Sequence, residues 1–223
     1  MISGATKLVI FDFDGTLADT RDKIVMMLQR VMRKRGLPVA SDERCASSIG
    51  IPLKGAFQHI LPGLSDAEAQ ACTDTYRDLF NRYHNQLVPD LFPHVRETLD
   101  ELCTNGIRMS IASSRTSRTL WKFLSEMGIQ HYFECVIGAE DCPEHKPSPV
   151  PVLLTLEQLG EEAANTVVVG DMPADILMGL RAGCRSIGVS YGNSTPDDLA
   201  AAGASHIIND FAQLLPLCLP EKK

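Results

Sequence analysis

Two aspartates stand one residue apart just after a short apolar run near the start of the chain, within FDFDGTL at residues 11–17. If that run is a strand, side-chain alternation sends Asp12 and Asp14 to one side and Phe13 to the other. Open α/β sheets bind ligands beyond the carboxyl ends of their strands, so both carboxylates can converge on one ligand there. An acidic turn at a strand end, bent at Gly15, would have the same sequence.

Two later segments contain groups suited to holding a phosphate. Ser113 ends a second apolar run, where its hydroxyl and the N–H group of Ser114 can donate hydrogen bonds to a phosphoryl oxygen. Lys146 lies in a loop that two prolines stiffen, and a fixed ammonium there would neutralise charge on a transferring group. A serine helix cap and a solvated lysine are the simpler explanations of these two segments.

A further apolar run ends in Gly170-Asp171, with Asp175 four residues later across the first turn of a predicted helix. Magnesium prefers a few carboxylates and keeps several waters, so Asp171 and Asp175 can share a metal with Asp12. Helix capping and compensation of the helix dipole explain the same two residues without a metal. The combination of all these segments in one chain favours the functional interpretation.

Six short apolar runs, separated by helix-length stretches, predict the elements that position these residues. Several runs are rich in Val and Ile and alternate little, which is typical of parallel strands buried on both faces of an α/β sheet. Two of the intervening helices are predicted to end at Gly106 and Gly128, as glycine C-caps. The predicted strands are Leu8–Phe13, Arg108–Ser113, Glu134–Ile137, Thr166–Val169, Arg185–Ser190 and His206–Ile208.

The interval between Asp19 and Phe92 lacks this alternation of strands and helices, because it contains helical patterns and no strand-like run. One of its helices is introduced by Ser65-Asp66-Ala67-Glu68, which fits a capping box. We therefore predict two domains: residues 1–19 and 90–223 form the α/β core, and residues 20–89 form a small helical domain inserted after the first strand.

Composition limits the kinds of partner. The chain has 223 residues, of which 44% are hydrophobic and 22% charged, as in soluble globular proteins. A net charge of -7 argues against nucleic acid and anionic membranes as partners, and no signal segment or membrane span is apparent. Seven cysteines without a Cys-x-x-Cys pair predict reduced, mostly buried thiols in a cytoplasmic protein.

The order of these motifs resembles the haloacid dehalogenase superfamily, specifically its phosphoglycolate phosphatase-like members with an α-helical cap. The matching features are Asp-x-Asp-x-Thr at residues 12–16, a strand-end serine, a loop lysine and Gly-Asp-x-x-x-Asp at residues 170–175. Further matches are residues 49–53, Phe92-Pro93 and residues 182–189. The resemblance implies a Rossmann-like parallel sheet core with an inserted helical cap domain, and a phosphatase that acts on a small phosphorylated metabolite.

The same resemblance implies a role for each residue that matches. Asp12 attacks phosphorus and forms an aspartyl phosphate, while Asp14 acts as the general acid and base with Thr16 as its partner. Ser113, Ser114 and Lys146 hold the phosphoryl oxygens. Mg²⁺ is expected to bind the Asp12 carboxylate, the Asp14 main-chain carbonyl, Asp171 and Asp175, the last directly or through water. Gly50 belongs to the cap loop expected to reach the active site.

Four residues, His94, His145, Met172 and Pro173, depart from the pattern of the relatives without removing a catalytic group. His94 stands where the relatives usually have glycine after an aromatic-proline pair. Pro173, within the last acidic motif, restrains the approach of the chain to Asp175.

Other functions on the same fold remain open. A β-phosphoglucomutase-like enzyme would be expected to have a cap histidine soon after the first motif, where this chain has Asp22, Lys23 and Ile24. A dehalogenase or phosphonate hydrolase would lack Asp14. A non-enzymatic binding protein would be expected to have lost one of the acidic groups. Phosphoglycolate, pyrophosphate, sugar phosphates and nucleotides all remain possible substrates, and the oligomeric state is not determined.

Overall fold

The computed structural model describes residues 6–219. They form eight strands, of which six belong to one sheet and two form a short ribbon. In chain order the strands are β1 Leu8–Phe11, β2 Ala18–Asp19, β3 Asp90–Leu91, β4 Arg108–Ala112, β5 Cys135–Ile137, β6 Thr166–Gly170, β7 Arg185–Val189 and β8 His206–Ile208.

The main sheet is entirely parallel, with the strand order β5-β4-β1-β6-β7-β8. Strand β1 lies at its centre, where Leu8 pairs with both Arg108 and Thr166. Every residue of β1 and β6 is buried, as expected of strands covered on both faces by helices. The predicted α/β class and all six predicted strands are confirmed, with ends that differ by one or two residues.

The described residues also form ten α-helices. They are α1 Arg21–Lys34, α2 Asp42–Ala46, α3 Leu53–Ile60, α4 Asp66–Tyr83, α5 Val95–Thr104, α6 Ser117–Glu126, α7 Val150–Leu159, α8 Pro173–Arg181, α9 Pro196–Ala201 and α10 Leu215–Cys218. Among residues 6–219, no helix combines the length and the apolar character that crossing a membrane requires.

The contacts between residues divide the described chain into two compact units. The first contains residues 6–19 and 90–219 and holds the main sheet; the second is Thr20–Pro89 and consists of helices. In the first unit β2 and β3 pair antiparallel, with Ala18 opposite Leu91. The sequence analysis predicted no strand between Asp19 and Phe92, so Asp90–Leu91 is a correction. Two residues are too few to show a strand period.

Local signals at helix ends are confirmed. The Ser65 hydroxyl accepts from the Glu68 N–H at 3.3 Å, and the Ser65 N–H donates to the Glu68 carboxylate at 2.9 Å, which completes the capping box of α4. Gly106 and Gly128 follow their helices with left-handed φ values of 75° and 67°. All seven cysteines lie within the described residues and are free, and six of them are buried.

His94 is the one non-glycine residue with positive φ in the described part of the chain, at 63°. It occupies the N-cap position of α5, and its Nδ1 lies 2.9 Å from both carboxylate oxygens of Asp210. A left-handed conformation is unfavourable for residues with a Cβ atom, although histidine adopts it more often than most. This backbone explains why glycine suits the position, and the contact with Asp210 accounts for the histidine.

The backbone conformation at His94 predicts opposite behaviour of two substitutions that both remove the contact with Asp210. His94→Gly should be more stable than His94→Ala by about 1 kcal/mol, because alanine keeps the left-handed cost and glycine does not. Equilibrium unfolding in urea measures the difference. An alanine variant as stable as the glycine variant would contradict the assigned strain.

Candidate active site

The carboxyl ends of three neighbouring strands supply the core of the site. Because β1 lies between β4 and β6 in a parallel sheet, the residues that follow these strands meet at one edge. Asp12 follows β1 directly, Ser113 follows β4 and Asp171 follows β6. All three are buried. The sheet order thus brings together residues that are more than 150 positions apart in the chain.

Three carboxylates form a compact acidic cluster at this edge. Asp12, Asp171 and Asp175 each offer an oxygen, and these oxygens lie within 4.8 Å of one another. Asp175 reaches the cluster from the first turn of α8, which begins at Pro173. Its carboxylate also accepts the Met172 N–H at 3.0 Å, so Asp175 caps the helix as well. The helix-capping interpretation and the clustered arrangement therefore both hold for Asp175.

Lys146 compensates part of this negative charge. Its Nζ lies 2.6 Å from Asp12 Oδ1 and 2.7 Å from Asp175 Oδ1, and only 5% of its side chain is exposed. Burial alone would lower the pKa of Lys146, but the carboxylates of Asp12 and Asp175 outweigh that effect and raise it. The ammonium is therefore held in its charged form between two strand-end segments.

Asp171 sits in a shell of hydrogen-bond donors. Its Oδ1 accepts the Thr16 hydroxyl at 3.1 Å, and its Oδ2 accepts the N–H and the side-chain amide of Asn193, each at 2.8 Å. Burial, followed by repulsion from Asp175, nevertheless raises the pKa of Asp171 to about 7. The pKa of Asp12 is also raised well above its usual value, mainly by burial, and Lys146 only partly opposes the shift.

The raised pKa values of Asp12 and Asp171 indicate that the site has too little positive charge to stabilise its ionised carboxylates. The oxygen donors of Asp12, Asp171 and Asp175 match the ligand preference of hard divalent cations. A cation among them would lower the pKa values that burial and mutual repulsion raise. The donor set therefore fits a divalent metal.

Thr16 and Asp14 have partners that differ from those predicted. The Thr16 hydroxyl donates to Asp171 instead of Asp14. Asp14 binds the guanidinium of Arg115, with Nε 3.0 and 2.9 Å from its two oxygens and Nη2 2.8 Å from Oδ1. The prediction that Thr16 is the partner of Asp14 is wrong, because the strand leaves the sheet in a turn that directs Thr16 towards β6.

The remaining predicted residues occupy the following positions. The Ser113 hydroxyl accepts the N–H of Arg115 at 3.3 Å, and Ser114 beside it is half-buried. Gly50 lies in the turn between α2 and α3 of the second unit, with a φ of 89°. Its predicted contact with the substrate remains a prediction.

Sequence reasoning missed three residues of the site. They are Arg115, Tyr191 and Asn193, to which the sequence patterns assigned no role. Tyr191 and Asn193 follow β7, which ends at the same edge of the sheet, and the Tyr191 hydroxyl donates to the Thr16 carbonyl oxygen at 2.8 Å. Polar residues after a predicted strand were the available signal, as they were for Ser113 and Asp171.

Two loops pass so close to Asp171 that only glycine fits. A Cβ on Gly15 would lie 2.3 Å from Asp171 Oδ2, and Gly15 also has a left-handed φ of 84°. A Cβ on Gly192 would lie 2.4 Å from the Asp171 Cβ and 2.5 Å from the Gly15 carbonyl oxygen. The Asp171 carboxylate is thus enclosed by main chain on two sides.

The close approach at Gly192 predicts a local and costly substitution. Gly192→Ala should lower the free energy of unfolding by about 1–3 kcal/mol, because Asp171 is held by its own hydrogen bonds and cannot yield. Gly160→Ala is the control: Gly160 has a φ of 63° but no atom within 4 Å, so alanine there meets only the backbone cost of about 1 kcal/mol. Urea unfolding measures both variants, and binding of a divalent cation should weaken only in Gly192→Ala. Unchanged cation binding in that variant would contradict the enclosure of Asp171.

Comparison with known proteins identifies the family. Residues 9–189 match the model of the family described as haloacid dehalogenase-like hydrolase. A protein of Dickeya dadantii (strain 3937), described as probable phosphatase IndB, is 35% identical over 210 residues, which cover 93% of this chain and 91% of that protein. A phosphoglycolate phosphatase of Photorhabdus laumondii is 31% identical over 215 residues, covering 94% and 91% of the two chains.

A solved structure gives the same result. A protein of Bacteroides fragilis, described as haloacid dehalogenase-like, has a TM-score of 0.89 and 28% identity to this chain, with 94% of this chain and 100% of that one covered. The chain therefore belongs to the haloacid dehalogenase-like hydrolase family and is a phosphoric monoester hydrolase of that family.

Proposed function

We propose that this protein is a Mg²⁺-dependent phosphatase that hydrolyses a small phosphorylated metabolite through a phosphorylated Asp12. The observation that supports this proposal most is the set of charged groups around the Asp12 carboxylate. Its carboxylate lies 2.6 Å from the ammonium of Lys146 and has oxygens of Asp171 and Asp175 within 4.8 Å. A buried nucleophile beside a fixed cation and a metal-binding carboxylate cluster suits attack on an anionic phosphoryl group.

In the first half-reaction a carboxylate oxygen of Asp12 bonds to phosphorus, and the bond between phosphorus and the leaving-group oxygen breaks. Asp14 gives a proton to that oxygen, so the product leaves as an alcohol. In the second half-reaction Asp14 takes a proton from water as the water oxygen attacks phosphorus. The bond from phosphorus to Asp12 then breaks, which releases phosphate and restores the carboxylate.

The transferring group needs donors and positive charge around its oxygens. Lys146, the Ser113 hydroxyl and the N–H of Ser114 are proposed to supply them from two loops that follow sheet strands. Preorganised donors of this kind contribute most of the acceleration of phosphoryl transfer, because they need not reorient as charge develops. Lys146 is held by the carboxylates of Asp12 and Asp175.

Mg²⁺ is the metal we propose for the acidic cluster. Asp12, Asp171 and Asp175 would hold it, with the main-chain carbonyl of Asp14 as a further ligand. Magnesium binds through few carboxylates and retains waters, which suits three oxygen donors at one side of a site. When bound, the ion supplies charge neutralisation for the nucleophile and the phosphoryl group.

The proposed substrate is a small monoester of the phosphoglycolate or sugar-phosphate kind. Several relatives similar over nearly the whole chain are named phosphoglycolate phosphatase, which supports the first. We further propose a cytoplasmic location, which is supported by seven free thiols, since such thiols persist in reducing compartments.

Replacement of the nucleophile tests this function. Asp12→Asn should reduce magnesium-dependent phosphate release from para-nitrophenyl phosphate by roughly 10³-fold or more, because an amide cannot form the covalent intermediate. Asp78→Asn, the same change at an exposed helix position, is the control and should keep full activity. Beryllium fluoride with magnesium should inhibit the wild type by mimicking the phosphorylated aspartate. An active Asp12→Asn variant, or an active wild type that resists beryllium fluoride, would exclude the covalent route.

The raised pKa of Asp171 predicts how metal and pH act together. Because the folded-state pKa of about 7 exceeds the usual value, the contribution of Asp171 to stability is present below about pH 4 and is lost as pH rises through 7. In chelator, Asp171→Asn should therefore gain stability relative to wild type between pH 5 and pH 8, by on the order of a few kcal/mol.

Added magnesium should restore the stability of the wild type at pH 8. It should have less effect on stability at pH 5, where protons compete for the same carboxylate oxygens. It should stabilise Asp171→Asn much less at either pH. Urea unfolding of both proteins at pH 5 and pH 8, with magnesium and with chelator, measures their difference in stability under each of the four conditions. A stability gap between wild type and Asp171→Asn that does not change with pH in chelator would contradict the assignment.

A further inference from the structure

The two carboxylate oxygens of Asp171 have unequal surroundings. Its Oδ2 accepts two hydrogen bonds from Asn193, one from the main-chain N–H and one from the side-chain amide, each at 2.8 Å. Among residues 6–219, the Thr16 hydroxyl is the one donor to Oδ1, at 3.1 Å. A carboxylate has about four lone-pair positions, two on each oxygen. Asn193 therefore uses both positions on Oδ2, whereas Oδ1 keeps a lone pair that these residues do not use.

The main chain also encloses Oδ2. A Cβ atom added to Gly15 would lie 2.3 Å from Oδ2, and one added to Gly192 would lie 2.5 Å from it. Both loops therefore pass close to this oxygen, and Asp171 as a whole is buried. A metal ion that retains several waters needs more room than this side of the carboxylate provides. Oδ1 is thus the oxygen that Asp171 can offer to a cation.

Hydrogen bonds also limit the other two carboxylates of the acidic cluster. Asp12 Oδ1 and Asp175 Oδ1 accept from the ammonium of Lys146 at 2.6 and 2.7 Å. Asp175 Oδ2 accepts the Met172 N–H at 3.0 Å. A cation that took both oxygens of either carboxylate would have to displace these donors. The arrangement therefore favours carboxylates that each bind a cation through one oxygen.

The loop that carries Asn193 is held at several points. The Tyr191 hydroxyl donates to the Thr16 carbonyl oxygen at 2.8 Å, and the centre of the Tyr191 ring lies 4.6 Å from that of Phe92. Two residues after Asn193, the Thr195 side chain caps the amino end of α9. Asn193 is therefore supported on both sides along the chain, and its two donors stay directed at Oδ2.

We propose that Asn193 is a positioning residue that restricts Asp171 to one-oxygen coordination of a metal ion, so that the cluster selects Mg²⁺ over Ca²⁺. This inference rests on the metal site of the proposed function and gives a physical reason for the choice of ion. Mg²⁺ demands a compact octahedral shell, whereas Ca²⁺ takes more oxygens, often both from one carboxylate. Hydrogen bonds from a second layer of residues hold ligands in the orientation that suits one ion.

Titration calorimetry of the protein with magnesium chloride and with calcium chloride tests the inference without turnover. Wild type should bind Mg²⁺ more tightly than Ca²⁺ by roughly tenfold or more. Asn193→Ala keeps the main-chain donor and loses the amide. Its preference for Mg²⁺ should fall by roughly tenfold, because Mg²⁺ loses an oriented ligand and Ca²⁺ gains a second oxygen. A residue with a merely structural role would weaken the binding of both ions by the same factor.

Three control variants locate the effect. Thr16→Val removes the donor to Oδ1 and leaves Oδ2 bound by Asn193, so its preference should stay within about threefold of wild type. Asn209→Ala makes the same change at an exposed asparagine and should leave both affinities unchanged. Asp171→Asn should lower the affinity for both ions by about tenfold or more, because the cluster loses a charged ligand. That loss shows that the measured ions bind at the cluster.

Crystals of wild type and Asn193→Ala soaked in Ca²⁺ show the coordination of Asp171 directly. One Asp171 oxygen should lie within about 2.6 Å of the ion in wild type, and both should do so in the variant. The result for wild type does not depend on the variant, so it decides the matter if Asn193→Ala does not fold. Two Asp171 oxygens bound to Ca²⁺ in wild type would overturn the inference.

The failures are distinguishable. If wild type binds both ions equally, or if Asn193→Ala keeps the wild-type preference, the inference is overturned and the metal-dependent phosphatase function stands. The same conclusion follows if Thr16→Val loses the preference as Asn193→Ala does. If wild type binds neither ion, the metal site of the proposed function fails and the inference fails with it. Phosphate release in chelator then shows whether the phosphatase activity itself remains.

Discussion

The concentration of carboxylates at one edge of the sheet is the constraint on which the rest of the site depends. Asp12, Asp14, Asp171 and Asp175 face two fixed cations, Lys146 and Arg115, in surroundings that largely exclude water. Burial of uncompensated charge is unfavourable, and this cost is the main reason why the pKa values of Asp12 and Asp171 are raised. A divalent cation and a phosphoryl group are the partners that such an arrangement can use: the cation adds the missing positive charge, and the phosphoryl group is drawn to the cations already present.

The fold holds this unfavourable arrangement in place through its most rigid parts. The strands that end at the cluster are fully buried and paired on both sides, so their carboxyl ends cannot separate. Loops close over Asp171 at Gly15 and Gly192, where no larger residue fits, and Asn193 and Thr16 satisfy its oxygens. Functional sites are commonly less stable than their surroundings, and here the central sheet compensates for the repulsion within the cluster.

The two cations differ in what their contacts allow. Lys146 bridges Asp12 and Asp175, so it links the nucleophile to the helix that follows β6. Arg115 binds both oxygens of Asp14 through its guanidinium, and its main chain is hydrogen-bonded to Ser113 and Ala139. Lys146 thus links two carboxylates through one charge, whereas Arg115 holds both oxygens of Asp14 in a two-point contact.

The sequence by itself determined the fold class, the six sheet strands and the residues Asp12, Ser113 and Asp171 at their ends, because strand periodicity and the order of motifs are local properties. Tertiary structure alone decided which side chains meet. Thr16 donates to Asp171 across 155 positions and Arg115 binds Asp14 across 101, while the sequence suggested Thr16 for Asp14. The physical reason is that a strand end fixes where a residue lies, whereas its hydrogen-bond partner depends on turn geometry and on loops packed from distant parts of the chain. Asn193 and Tyr191 belong to the site because the loop after β7 packs against Thr16 and Asp171.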